Sequence, residues 1–176
     1  MNEVLKAIEQ RRSCRKFLAD MPSKDAVQAV ITAGLQAASG KNEQAAIVLA
    51  VSDKALRDKL SADNCRIGGW QEGFDPFYGA PVILVVLGRK DFPTYVYDGS
   101  LVLGNMMLAA HSLGLDGIWI HRAKEEFETE EYQAFLKENG IEGEWEGIGH
   151  LALGYRDGAH PAPHPIKEGR VYYFGK

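Results

Sequence analysis

The stretch QRRSCRKF places Arg11, Arg12, Arg15 and Lys16 close together, with Ser13 among them. Like charges this near one another repel, and a helix gains nothing from them. Planar guanidinium forks suit phosphate oxygens, which accept two parallel N–H bonds from each fork. A phosphate monoester, close to doubly charged, rewards several such donors together. Arg11 and Arg15 have the spacing that shares one helix face, with Arg12 and Lys16 on a neighbouring face. Two other readings compete. The run could be the solvated basic end of a helix, favourable against its own dipole. It could be a nucleic-acid patch, but no basic stripe with interleaved aromatics extends it, and the chain is acidic overall, with formal net charge -4.

Other chemistry-bearing patterns are missing from the sequence. It holds no GxxxxGK[ST] and no GxGxxG after an apolar strand, so neither a P-loop nor a Rossmann site is indicated. His111, His121, His150, His160 and His164 show no HExxH or paired metal spacing. No GxSxG elbow occurs. Cys14 and Cys65 alone cannot make a disulfide framework or a zinc site and read as free thiols. An anion site without a nucleophile, metal or dinucleotide signature suits a protein whose chemistry is carried by a bound cofactor.

The elements that must position this site are legible in outline. The chain has 176 residues, 45% of them hydrophobic, and fits one domain spanning 1–176. Val4, Leu5 and Ile8 give residues 2–12 a helical period. Ser23 can cap the next helix, whose apolar face is Val27, Val30, Ile31, Gly34, Leu35 and Ala38. AAIVLAVS and PVILVVLG are apolar on both faces and read as buried strands. A helix is expected over 53–63, and a long glycine- and aromatic-rich loop over 64–79, a candidate wall or lid. Residues 98–113 form a helix apolar nearly all round, central or at a subunit contact. There Asp98 and Asn105 read as structural hydrogen-bonding groups. Strands follow at 116–121 and 149–155, with a helix at 129–139 between them. A Pro-rich tail ends in RVYYF (170–174), a last strand that needs a sheet edge, which a second subunit could supply. No apolar run approaches the ~20 residues of a membrane span. The stretch MNEVLKAIEQRR has no apolar signal core, so a cytoplasmic protein is expected.

RRSCRKF resembles the RRSxRxF signature of the FMN-dependent nitroreductases. AASGKNEQ (37–44) resembles that family's PSGxNxQP loop, and FDPFYGAPVILVV (74–86) its DxFYGAPxxI segment. NMMLAAHSLGLDGIWIHRA (105–123) is similar to NMxLAAxxLGLGSCWIxRA. EGIGHLALGY resembles the late GxxxLGY strand, and KEGRVYYF the closing segment. The matches follow the family's order along the whole chain. Three departures stand out. Pro165-Ile166-Lys167 lacks the arginine of the family's Pro-Arg-Lys, Ala38-Ser39 replaces Pro-Ser, and Gln44-Ala45 replaces Gln-Pro.

The resemblance implies an α+β, three-layer nitroreductase-like fold with a central mixed sheet flanked by helices, in an intertwined homodimer with FMN at the interface. Arg11, Arg12, Ser13 and Arg15 would hold the FMN phosphate and ribityl chain, and Lys167 would close on the phosphate from the tail. Ser39, Gly40 and Asn42 would come from the other subunit to line the isoalloxazine. Ile120, His121 and Arg122 would pass beside the ring, with backbone N–H groups facing it. The implied activity is reduction of nitro compounds, quinones or similar small aromatic acceptors by NAD(P)H, by a ping-pong hydride mechanism at flavin N5, with no protein nucleophile. The alternatives are an FMN storage or sensing protein without turnover, and a reductive dehalogenase on the same fold. Dehalogenase-type members carry an added lid, for which this short chain has little room. Neither nucleic acid nor a membrane is an expected partner.

Overall fold

The run PVILVVLG becomes the centre of the molecule because Val, Ile and Leu fill both of its faces. In the computed structural model, which describes residues 1–175, it forms β2 (Val82–Arg89), buried from Val82 to Gly88. β2 lies between β1 (Ala46–Val51) and β4 (Trp145–Gly154), and β3 (Asp116–Ile120) pairs with the far side of β4. Alternation along β2 builds two cores. Ile83, Val85 and Leu87 point to one face, Val82, Leu84 and Val86 to the other.

Helices cover both faces. α2 (Lys24–Leu35) and α4 (Tyr95–Ser112) bring Val30, Val102, Leu103 and Met106 onto one. α3 (Lys54–Gly68), α5 (Ala123–Phe127) and α6 (Glu130–Glu138) bring Leu60, Phe127, Tyr132 and Leu136 onto the other. This is the expected α+β fold in three layers. α1 (Glu3–Gln10) lies against α4 and buries no residue fully. No helix is long and apolar enough to cross a membrane among the described residues.

Local signals explain most boundaries. Ser23, Asp53 and Thr129 cap α2, α3 and α6 by accepting from Ala26, Leu56 and Tyr132 N–H. Gly34 lets α2 approach α4, since a Cβ there would stand 2.4 Å from Met106 Cγ. Asn105 Nδ2 donates to Ala33 O at 3.2 Å and ties the same two helices.

Four expectations change. The named strands pair antiparallel throughout, not as a mixed sheet, and the parallel contact is the isolated bridge of Ser13 with Gly117. The reason is visible at Val51, which pairs with Ile83. The segment after α3 returns the chain to the end where β1 finished, so β2 must run back. α3 continues to Gly68 and stops at Gly69, whose φ of 68° ends the helix in a left-handed cap. α5, unrecognised in the sequence, follows β3 directly. Residues 170–174 form no strand: they pair with nothing among the described residues and stay exposed.

Candidate functional site

The arginine run does not continue α1. Arg11 N–H makes the last helical bond, to Ala7 O at 2.9 Å, and the chain then extends. Tertiary pairing outcompetes a helix loaded with like charges. Cys14 N–H donates to Gly117 O at 3.3 Å, Phe17 N–H to Tyr78 O at 3.2 Å, and Leu18 N–H to Tyr155 O at 2.9 Å. Cys14 and Phe17 enter the core. Arg11 and Arg15 therefore share no helix face but line an extended segment on the free edge of β3.

The side chains along this edge differ in what they already hold. Lys16 pairs with Asp157 at 2.7 Å. Arg15 is exposed and makes no ion pair among the described residues. Arg12 Nε donates to Ala162 O at 3.3 Å and draws the tail across the segment. Arg11 is half-buried, and its Nη1 is fully covered without a hydrogen-bond partner among the described residues. Burial, and next the charge of Arg12, push the Arg11 pKa down against the pull of Asp116. A covered guanidinium nitrogen without an acceptor is what a phosphate oxygen would relieve.

Two residues that no motif pointed to hold the segment in place. Arg156 grips Asp116 with both arms of its fork, Nε to Oδ2 at 2.8 Å and Nη2 to Oδ1 at 3.0 Å, and also donates to Arg12 O at 3.3 Å. The only sequence signal was an aspartate opening an apolar strand, which must find a partner if buried. His111, Asp116 and His160 bring ligand atoms within 4.8 Å of one another. Both Asp116 oxygens are already taken by Arg156, and Arg11 stands close by, so the electrostatics there disfavour a cation.

At its other end β3 leads into a turn. His121 is exposed, and its carbonyl accepts from Asn64 Nδ2 at 2.8 Å. Arg122 has φ 81°, left-handed for a side-chain-bearing residue, and its guanidinium pairs with Glu125 at 2.7 Å. The arginine segment and the 120–122 turn thus share one strand edge, about 10 Å apart by strand rise.

Ser39, Gly40 and Asn42 are not brought to that edge. They form a 3₁₀ turn at Gly40–Asn42 that leads into β1, on the opposite side of the sheet. Lys41, Asn42 and Gln44 all have positive φ, 51°, 59° and 49°. Such strain persists only when the surroundings over-determine it. Here Gly40 N–H donates to buried Asp98 at 3.2 Å, Thr94 Oγ1 donates to the other Asp98 oxygen at 3.1 Å, and Gln44 N–H donates to Ser39 Oγ at 3.1 Å. A Cβ on Gly40 would lie 2.5 Å from Thr94 Oγ1, so only glycine fits. Lys167 lies exposed on the tail.

The aromatic loop 69–79 is ordered by one carboxylate. Asp75 accepts from Arg57, from Ser61 Oγ at 2.6 Å, and from Phe77 and Gly79 N–H at 3.0 and 2.8 Å. Trp70, Phe74 and Tyr78 pack in sequence, the first pair tilted and the second edge-on, with centroids 5.6 and 5.9 Å apart. A cavity of about 670 Å³ opens between this loop and α3, walled by Trp70, Phe74, Arg57 and Arg66. Burial disfavours the Asp75 anion, but the bonds from Arg57, Ser61 and Gly79 outweigh it and hold the carboxyl below its ordinary 3.8. A depressed folded-state pKa gives stability that is complete above the unfolded value and is lost as pH falls through and below it. Asp75→Asn should therefore flatten the acid side of the stability profile below about pH 4, measured by urea unfolding. An unchanged acid limb would show that Asp75 is not a significant source of acid sensitivity.

A family model described as the nitroreductase family matches residues 8–65 and 70–155. A protein from Archaeoglobus fulgidus, named as an NADH dehydrogenase/NAD(P)H nitroreductase, is 27% identical over 128 residues, covering 68% of each chain. A Bacteroides fragilis nitroreductase crystallised with FMN superposes with a TM-score of 0.90 at 27% identity, over 99% of this chain and 100% of that one. An FMN-bound nitroreductase from Desulfitobacterium hafniense gives 0.88 at 29% identity, over the same shares.

Proposed function

The chain belongs to the nitroreductase family, and from that premise we propose that it is an FMN-dependent oxidoreductase, using NAD(P)H to reduce nitro compounds, quinones or similar aromatic acceptors. The observation that carries this reading is the covered, unpartnered Nη1 of Arg11, beside Arg12, Ser13 and an unengaged Arg15 on one strand edge. The FMN in the solved nitroreductase structures from Bacteroides fragilis and Desulfitobacterium hafniense supports it.

Arg11, Arg12, Ser13 and Arg15 would bind the phosphate and ribityl chain, with Lys167 joining from the tail. The backbone of Ile120, His121 and Arg122 would lie along the ring. Bound FMN would supply two-electron chemistry, alternating at N5 between hydride from NAD(P)H and transfer to the acceptor in a ping-pong cycle. The protein's part is to bind, orient and exclude water. A cation such as Arg12 or Arg15 near the pyrimidine end would favour the negatively charged reduced ring. The loop 69–79 would wall the open slot where nicotinamide and acceptor take turns.

Because Ser39, Gly40 and Asn42 lie at the sheet edge opposite the arginines, each site would be completed by a second copy of the chain. The protein would then be a homodimer with two sites.

The test is cofactor binding followed by turnover. The purified protein should be yellow, with FMN and not FAD, and should oxidise NADH or NADPH when an acceptor is added. Arg15→Ala should weaken FMN binding by about 1.5–3 kcal/mol, the loss of a charge-assisted contact. Lys16→Ala should cost far less, since its exposed ammonium is already paired with Asp157 and faces solvent. Equal losses would mean a diffuse basic patch. A colourless protein that ignores added FMN would refute the assignment, and FMN binding without nicotinamide oxidation would make it a binder.

A further inference from the structure

Directly behind the 120–122 turn the core holds two polar side chains that packing alone does not require. Glu126 on α5 and His150 on β4 are both completely buried, with Oε2 and Nε2 2.7 Å apart. That separation is ion-pair range, although the imidazole edge is not squarely aimed at the oxygen. None of the four polar side-chain atoms, Oε1 and Oε2 of Glu126 and Nδ1 and Nε2 of His150, makes a hydrogen bond of good geometry among the described residues. The Phe77 ring packs 5.2 Å from the imidazole. A buried carboxylate and imidazole are costly, and two apolar side chains of similar volume would often serve stability as well or better.

What the pair does hold is α5. This helix has five residues, too few to persist without tertiary support. It begins from Arg122, whose left-handed φ of 81° must be imposed from outside. Its first residue rests on β4 so closely that a Cβ on Gly147 would fall 2.0 Å from Ala123 O. Lys124 pairs with Glu146 at 3.2 Å on the surface, and Asn64 pins His121 O from α3. Ala123 and Phe127 pack into the core, and Glu126–His150 adds the polar contact between α5 and β4 there. His150 is also the strand partner of Ile120, the last residue of β3. The pair therefore ties α5 to the β4 residue against which the end of β3 is registered, and the strained turn runs between that strand end and α5.

We propose that Glu126 and His150 are positioning residues for the cofactor site. They lock α5 onto β4 and so fix the backbone N–H groups of the turn that faces the flavin ring. This rests on the FMN reading above, but part of its test does not depend on flavin. Replacing both residues, in a Glu126→Leu/His150→Leu variant of the full chain, removes the pair without leaving one buried polar side chain alone. The expected result is a folded protein whose amide hydrogen exchange accelerates at residues 121–124 and not across the sheet. Its FMN affinity should fall roughly tenfold or more, the scale on which small misplacements act, with shifts in bound-flavin absorbance and midpoint potential. Glu126→Gln keeps an acceptor for the imidazole and should stay near the parent in all of these. Should the double variant not fold, Glu126→Asp keeps the carboxyl group but shortens the reach by one methylene, and should loosen the same amides. Parental exchange at the turn in whichever variant folds overturns the proposal. So do parental FMN affinity and potential, which would leave the cofactor reading intact, whereas a parent chain blind to FMN would refute that reading and leave the exchange test standing.

Discussion

Arg156→Ala is expected to destabilise the protein by about 3–5 kcal/mol, the range for removing one partner of a buried ion pair. Both side chains are nearly covered, 12% and 11% exposed, so solvent screens them little. The pair is bidentate, and the variant would leave the Asp116 carboxylate without either of its hydrogen bonds. The same guanidinium supports Arg12 O, and the backbone of Arg156 bridges Phe17. Losing it should also loosen the arginine segment, so FMN binding should weaken in a variant that touches no proposed cofactor contact. Arg156→Lys keeps the charge but not the fork, and should fall between parent and alanine variant. Urea unfolding and an FMN fluorescence titration would measure the two effects. A loss below about 1 kcal/mol would place the pair with ordinary surface bridges.

The elements that the sequence made legible are those whose signal is local. β2 is a run of apolar residues buried on both faces, and α2 has a serine cap and an apolar stripe. Residues 64–68 were harder, because the Gly68-Gly69 pair reads as loop while Gly69 is the cap of a helix. α5 spans a single turn and a half, too short for a period to show. The arginine run was legible in composition and misleading in shape: its spacing fits a helix, but its backbone is claimed by Gly117 and Tyr155, more than a hundred residues away. For the same reason Asp116–Arg156 and Glu126–His150 were hidden. Each joins residues distant in sequence, and a lone histidine or aspartate in an apolar strand does not name its partner. The strained turn at Lys41 and Asn42 was marked only by family-like residues, since its positive φ values are imposed by Asp98 and Thr94.

Deleting residues 164–176 is expected to break the proposed homodimer and strip the proposed cofactor together. The tail carries Ile166, Tyr173 and Phe174 at 85%, 92% and 93% exposure, and nothing among the described residues covers them. Val4, Leu5 and Ile8 on α1 and Tyr97 and Leu101 on α4 are exposed as well. A lone soluble chain rarely leaves so many large apolar groups in water. Packing two copies through α1, α4 and the tail would bury them, and an obligate interface of that kind typically exceeds about 2,000 Å². The alternation in RVYYF would then find its partner on the other copy, which accounts for a strand-like sequence with no strand pairing inside one chain. Since Ser39, Gly40 and Asn42 lie across the sheet from the arginines, dissociation would leave every site half-built. FMN occupancy should therefore track the dimer fraction, and the melting temperature of the parent should rise with protein concentration. Light scattering on a size-exclusion column, with absorbance of bound flavin in the same peak, reads both quantities at once. A truncated chain that elutes as a fully yellow dimer would show that neither the tail strand nor Lys167 does the work assigned to it.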